Sequence, residues 1–369
     1  MGYRYIGTKT RLLDEVLMKI STLAPYGGHV VDLMCGTATV SLALAKKGFR
    51  VTAVDVMTYS YHHARVALSF DEYPRFIDAD SFISKYAKGE VGYESMLSAL
   101  SNVPDRKDYF WQEFSSEGNP MNTENPRNYF SPKNAKRIDG MRFWIKKMKQ
   151  EGMISDLERS LLLHNLIMAV NDVANIAGTY GHYLSSLMGR AKDALVLKMS
   201  DIRVDPANKF NRALRGYAEE IAPTLECDVC YIDPPYMKRQ YAANYHVLET
   251  LAREDNPVAI GVSGLRPWRD QYSNFCTKTK IRDSFRSILE KMECPHFLIS
   301  YSEDGLLSID ELESVFSEFG TVKVHTMEHK RFKSNDSKLN PKITEYLIHL
   351  EKFKTPQTSS RTLCALGAR

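Results

Sequence analysis

The chain has 369 residues, 43% of them hydrophobic and 25% charged, a composition that excludes a disordered, collagenous or coiled-coil protein and suits one large domain with an insert, or two domains. Lys and Arg total 49 against 45 Asp and Glu, a net charge of +4, too small to demand or exclude a polyanionic partner, so local clustering has to decide. No apolar run approaches the ~18 residues of a membrane span, and the start MGYRYIGTKTR lacks a signal-peptide core, so a cytoplasmic protein without membrane contact is expected.

In chain order, apolar residues at Leu12, Leu13, Val16, Leu17, Ile20 and Leu23 have helical spacing, which Pro25 and Gly27-Gly28 stop. Residues 29–34 read as a buried strand, 37–47 as a helix ended by Gly48, and 50–56 as a second strand. The unit is βαβ. Its right-handed crossover predicts a parallel sheet with a ligand crevice at the strand carboxyl ends. From about Asp71 to Arg190 the texture turns polar and irregular, then helical from Pro132 to Leu187, which reads as a largely helical insertion. Sheet character returns at 194–201, followed by a helix near 211–225 and a strand over 227–233. Two helix-strand pairs follow, 281–292 with 296–302 and 309–319 with 321–327. The pattern at 343–350, across a polar loop, predicts an antiparallel partner for its predecessor. The expected division is therefore 1–70 with 191–353 as one catalytic unit, 71–190 as the insertion, and 354–369 as a loose tail.

Six cysteines are too few and too scattered for a disulfide framework. Cys227 and Cys230 have CxxC spacing, but on a strand such residues face opposite sides, so core packing is expected and no metal site.

Chemistry is concentrated at strand ends. The turn Asp32-Leu33-Met34-Cys35-Gly36-Thr37-Ala38 follows the first strand. A dinucleotide site would need glycines against a pyrophosphate, and only Gly36 is available here. S-adenosylmethionine lacks a diphosphate and tolerates Cys35 and Ala38, with Asp32 near its ammonium. Asp55, at the end of the second strand, can accept hydrogen bonds from both ribose hydroxyls of an adenosine, although an Asp there is often only a cap. Asp233-Pro234-Pro235-Tyr236 gives the sharpest signal. Two prolines remove two backbone donors and stiffen the turn, setting a carboxylate, a carbonyl and an aromatic face side by side. That trio suits an exocyclic amino group: Asp233 and the Pro234 carbonyl accept its two N–H bonds while Tyr236 stacks on the ring. The bland alternative is a surface turn with a capping Asp.

With these residues the sequence resembles the N(6)-adenine DNA methyltransferases of the adenine methylase class, alpha motif order. Tyr5-Ile6-Gly7-Thr8-Lys9 is similar to the family's N-terminal motif, and Asp32 to Ala38 to its cofactor loop, with Met34 for Phe and Ala38 for the last Gly as departures. Asp55 matches the ribose-binding acid, and Asp201 looks like the acid beside the cofactor's adenine. Asp233 to Tyr236 matches the catalytic tetrapeptide in full; 239–246 and the stretch 175–183 (NIAGTYGHY) resemble one subgroup.

The resemblance implies a Rossmann-like class I α/β sheet, mostly parallel with its last strand pair antiparallel, and S-adenosyl-L-methionine as methyl donor. It implies cofactor contacts from Tyr5, Gly7, Lys9, Asp32, Cys35, Gly36, Thr37, Asp55, Asp201 and Asp233, and catalysis by Asp233, Pro234, Pro235 and Tyr236. The substrate would be an adenine flipped from double-stranded DNA, in a bacterial or phage-infected cell, with the enzyme either solitary or beside a cognate restriction endonuclease that forms no stable complex with it. Two basic clusters are candidates for phosphate contacts: Lys133, Arg137 and Arg142 in the insertion, and Lys330, Arg331 and Lys333 in the late hairpin loop, with Arg239 after the tetrapeptide. The rivals are an RNA adenine methyltransferase, whose tetrapeptide usually opens with Asn, a cytosine-N(4) enzyme, typically opening with Ser, and a DNA-binding scaffold without catalysis.

Overall fold

The computed structural model describes residues 12–330 and 342–353. Its elements run α1 (Leu13–Leu23), β1 (His29–Asp32), α2 (Thr39–Lys46), β2 (Arg50–Asp55) and α3 (Thr58–Leu68), then α4 (Asp80–Tyr86), α5 (Tyr93–Ser101), α6 (Tyr109–Phe114), α7 (Pro132–Gln150) and α8 (Asp156–Val173). They continue with β3 (Arg212–Arg215), α9 (Ala218–Ile221), β4 (Val229–Ile232), α10 (Tyr241–Asn244), α11 (His246–Arg253), α12 (Ile281–Lys291), β5 (His296–Ser302), α13 (Ile309–Phe316), β6 (Gly320–Lys330) and β7 (Lys342–Lys352).

Among the described residues the strands form one sheet in the order β3-β2-β1-β4-β5-β7-β6. The pairs from β3 to β5 are parallel, and β7 is antiparallel to both β5 and β6. This is the expected mostly parallel sheet with an antiparallel end. Strand alternation divides the core. Val30, Val51, Ala53, Val229 and Tyr231 face α1, α2 and the end of α3, whereas Val31, Val54, Cys230, Ile232, Phe297 and Ile299 face α9, α12 and α13. Both faces are covered, which is why β1, β2 and β4 are short apolar runs.

Helices α4 to α8 occupy the stretch read as a helical insertion. Their starts are written in the sequence: Ser131 caps α7 ahead of Pro132, and Ser155 with Glu158 forms a capping box on α8. Their apolar faces join Tyr59 and Val66 of α3 and Val247, Leu248 and Leu251 of α11 in one continuous core. Helix α8 thus packs on the crossover helix that leaves Asp55, so the insertion is fastened to the same element as the crevice.

Three sequence expectations are corrected. Residues 194–201 form no strand, and the helix expected from 211 is instead β3 followed by the four-residue α9. Leu195 and Leu197 are buried and Val196 is exposed, so the alternation is real. The backbone of this segment is held by side chains: Asn134 Oδ1 accepts from Leu195 N at 3.0 Å, Asn165 Nδ2 donates to Lys198 O, and Tyr93 Oη accepts from Ser200 N at 3.0 Å. Extended chain satisfied in this way needs no ladder. Likewise Cys227 precedes β4, so strand alternation does not apply to it, and it shares one core cluster with Cys230. Its thiol lies 3.4 Å from that of Cys294.

Candidate functional site

The crevice opens where the strand order reverses, between the parallel neighbours β1 and β4. Asp32 ends β1, Asp55 ends β2, and Asp233 follows β4. All three line one cavity of about 1010 Å³, counted with its open mouth. Cys35, Gly36 and Thr37 line it too, as do Pro234, Pro235, Tyr236, Gly216, Tyr217, Tyr241 and Gln271.

The turn after β1 is pinned by hydrogen bonds from Leu33 N to Tyr231 O and from Cys35 N to Val54 O, at 2.9 and 3.0 Å. Gly36 and Ala38 both take left-handed backbone, with φ of +51° and +59°. For Gly36 this costs little, but for Ala38 it carries a strain of roughly 1–2 kcal/mol. Ala38 thus stores strain in the turn that lines the cavity.

Asp55 closes the turn from the neighbouring strand. Its Oδ2 accepts from Gly36 N at 2.9 Å and its Oδ1 from Met57 N at 2.8 Å. Burial raises its pKa to about 6, and these two backbone donors oppose the rise. Each oxygen keeps further acceptor capacity. Asp32 is almost wholly buried; Ser41 Oγ donates to its Oδ2 at 2.5 Å, and its Oδ1 has no partner. Its pKa is pushed up to about 7, first by burial and further by Asp233 and Asp55. A cation near Oδ1 would meet both the missing partner and the excess negative charge.

Asp233 and Pro234 begin the rigid turn. The Pro234 carbonyl accepts no hydrogen bond among the described residues. Tyr236 is held from two sides: its carbonyl accepts from Leu306 N at 3.0 Å, and its ring packs on Tyr301 with centroids 5.5 Å apart. Below the turn, Gln240 and Ser273 exchange two hydrogen bonds, Nε2 to Ser273 O at 2.9 Å and Ser273 N to Oε1 at 2.8 Å. The segment NIAGTYGHY reaches the same region, because Tyr180 N donates to Asn244 O and His246 Nε2 lies 2.9 Å from Tyr180 O.

The remaining candidates divide. Tyr5, Gly7, Lys9, Arg331 and Lys333 lie outside the described residues, and of Lys330 only the backbone, in β6, is described. Asp201 is exposed and does not line the cavity. The reason is the displaced strand: β3 ends at Arg215, so Gly216 and Tyr217 take the place expected for it. Arg142 is corrected as well. It is buried, donates to Asp255 O at 2.8 Å and Asn256 Oδ1 at 3.2 Å, and lies 3.8 Å from Asp139, so it offers no surface charge. Arg137 is partly engaged with Val103 O and Asp105. Lys133 and Arg239 are exposed. Among the described residues no cluster of His, Cys, Asp and Glu could hold a metal, and no helix is long and apolar enough to cross a membrane.

Sequence reasoning missed Gln271, Ser273 and Phe275, which line the cavity from an irregular segment with no periodicity or motif to mark it. It also missed Tyr217, whose only signal was the glycine after the short run Arg212–Arg215.

Comparison with known proteins bears on this geometry. The profile of the D12 class N6 adenine-specific DNA methyltransferases matches residues 5–329. The chain is 32% identical over 360 residues to Type II methyltransferase M.FokI of Planomicrobium okeanokoites, covering 95% of this chain and 52% of that protein. It is 29% identical to modification methylase StsI of Streptococcus sanguinis, over 98% and 53% of the two chains. To Type II methyltransferase M.NlaIII of Neisseria lactamica it is also 29% identical, over 94% of this chain and 99% of that one. The chain thus spans about half the length of the first two and nearly all of the third.

Proposed function

Since the chain belongs to the D12 class of N6 adenine-specific DNA methyltransferases, we propose that it methylates the 6-amino nitrogen of an adenine flipped out of a specific sequence in duplex DNA, with S-adenosyl-L-methionine as donor. One observation carries this reading: the three strand-end acids and the Pro234-Pro235-Tyr236 turn line a single cavity. Asp32 Oδ1, buried and unpartnered, suits the donor's ammonium, and the spare acceptor capacity of Asp55 suits its ribose hydroxyls. When bound, the donor supplies an electrophilic methyl carbon on a sulfonium.

The amino nitrogen of adenine is a poor nucleophile because its lone pair is delocalised into the ring. Asp233 and the Pro234 carbonyl accept its two N–H bonds, which favours a pyramidal nitrogen and stabilises the charge that develops there. Tyr236 stacks on the extruded base, a contact worth about 1–3 kcal/mol against the cost of flipping. Asp233 serves first as an electrostatic anchor, and the proton leaves afterwards to this carboxylate or to water. No covalent intermediate is needed, and the thiols take no part. Exposed Lys133 and Arg239 support phosphate contacts, together with the basic residues of the late hairpin. The relatives' names, type II methyltransferase and modification methylase, support a role in DNA modification beside a restriction endonuclease.

The test is transfer of tritiated methyl from the donor to unmethylated duplex DNA, followed by digestion to nucleosides. Label is expected in N6-methyldeoxyadenosine. Label in a cytosine nucleoside, in RNA alone, or nowhere would overturn the proposal.

A further inference from the structure

Gln271 lines the cavity, yet nothing above uses it. It ends a short 3-10 turn, Arg269–Gln271, and is 4% exposed. Its Nε2 donates to Val56 O at 2.9 Å and to Glu249 Oε1 at 2.8 Å. Glu249 is itself buried, paired with Arg253 at 2.7 Å and accepting from Thr58 N at 2.9 Å. Reversing the amide would turn its oxygen toward two acceptors, so its orientation is fixed. The oxygen that remains, Oε1, is buried and has no partner. Buried acceptors are nearly always satisfied, and an exception at a cavity wall calls for a donor from outside the chain.

The position says which donor. Gln271 touches the backbone just past Asp55, where Val56 and Met57 line the cavity, and Tyr217 Oη donates to Asp270 O at 2.7 Å, drawing the turn against the loop after β3. With the ribose on Asp55, this corner would take the adenine ring of the donor. Asp201, the acid expected beside that ring, lies outside the cavity. We infer that Gln271 Oε1 accepts a hydrogen bond from the 6-amino group of the cofactor's adenine and so selects adenosine over its 6-oxo and 6-deamino counterparts. The inference rests on the S-adenosyl-L-methionine reading.

The test is calorimetric binding of S-adenosylhomocysteine and of its 6-deamino analogue to the wild-type chain and to Gln271→Leu. The wild type should prefer the amino compound by about 10-fold, the worth of one buried hydrogen bond. Gln271→Leu should lose about that factor for the amino compound and change the analogue by less than about 2-fold. Damage to the Val56 and Glu249 contacts would weaken both ligands alike, so an equal loss overturns the inference. If Gln271→Leu fails to fold, the wild type decides alone with the 6-oxo analogue added. The order amino, unsubstituted, oxo supports the contact, and equal affinities overturn it. A wild type that binds none of the three refutes the donor reading itself, and this contact with it.

Discussion

Replacing Asp32 by Asn should stabilise the protein while weakening binding at the proposed donor site. Burial lifts the Asp32 carboxyl from 3.8 to about 7, against the opposing hydrogen bond from Ser41. In the unfolded chain the group ionises near 3.8, so between that pH and about 7 the folded state holds the extra proton. Stability therefore falls as pH rises through this window, and the full penalty stands above it. The span corresponds to roughly 4 kcal/mol as an upper bound, and relaxation around the site reduces it to about 2 kcal/mol. Asn keeps an oxygen to accept from Ser41 Oγ and carries no charge. Urea unfolding of Asp32→Asn should show a gain over wild type that grows by about 1 kcal/mol or more between about pH 5 and pH 8. Affinity for S-adenosylhomocysteine, whose ammonium loses its counter-charge, should fall by about 10-fold or more. A gain independent of pH, or a loss at both pH values, would refute the reasoning.

Asp233→Ala should lower the single-turnover methylation rate by roughly 10²–10³-fold, by analogy with removing one oxyanion-hole donor. Donor affinity should stay within a few fold, and an equal loss in both would make the carboxylate a donor ligand instead. Arg127 and Glu113 form a fully buried ion pair at 2.5 Å, and Arg127 also holds the carbonyls of Gly261 and Val262. Glu113→Ala should cost about 3–5 kcal/mol in urea unfolding, with Arg127→Met recovering part of it; a loss under about 1 kcal/mol would contradict a buried uncompensated charge. His63 and His164 meet through their Nδ1 atoms at 2.7 Å between α3 and α8, and burial lowers His164 to about 4. With a folded pKa below the unfolded 6.5, stability is lost as pH falls from about 6.5 to 4. His164→Gln should flatten that slope, and an unchanged slope would show that His164 stays neutral without consequence.

How legible each element was depended on how it satisfies its backbone and its faces. Strands buried on both sides, such as β4 with Val229, Cys230, Tyr231 and Ile232, announce themselves as apolar runs. Edge strand β3 has only Ala213 and Leu214 between two arginines, because one flank and part of each face meet solvent. The segment at 194–201 imitates a strand because its side chains alternate, while Asn134, Asn165 and Tyr93 replace the ladder from other parts of the chain. That single substitution of partners moved Asp201 out of the site. The failure at Arg142 has the same origin: a cation's destination is set by Asp139 and by the carbonyl of Asp255, and a charge run does not reveal such partners.

The acids of the site were legible because their chemistry is local to the turns that end β1, β2 and β4. Their collective effect was not, since it arises from distance in space. Asp233 and Asp55 both add to the burial that raises Asp32, and Asp55 is itself raised. Bringing Asp55 and Asp233 toward the buried Asp32 thus opposes its ionisation and the fold that holds it. A ligand carrying both an ammonium and a sulfonium relieves that opposition on entry. On the proposed reading, the electrostatic cost of ionising Asp32 becomes part of the affinity for a donor whose ammonium and sulfonium outweigh its single carboxylate.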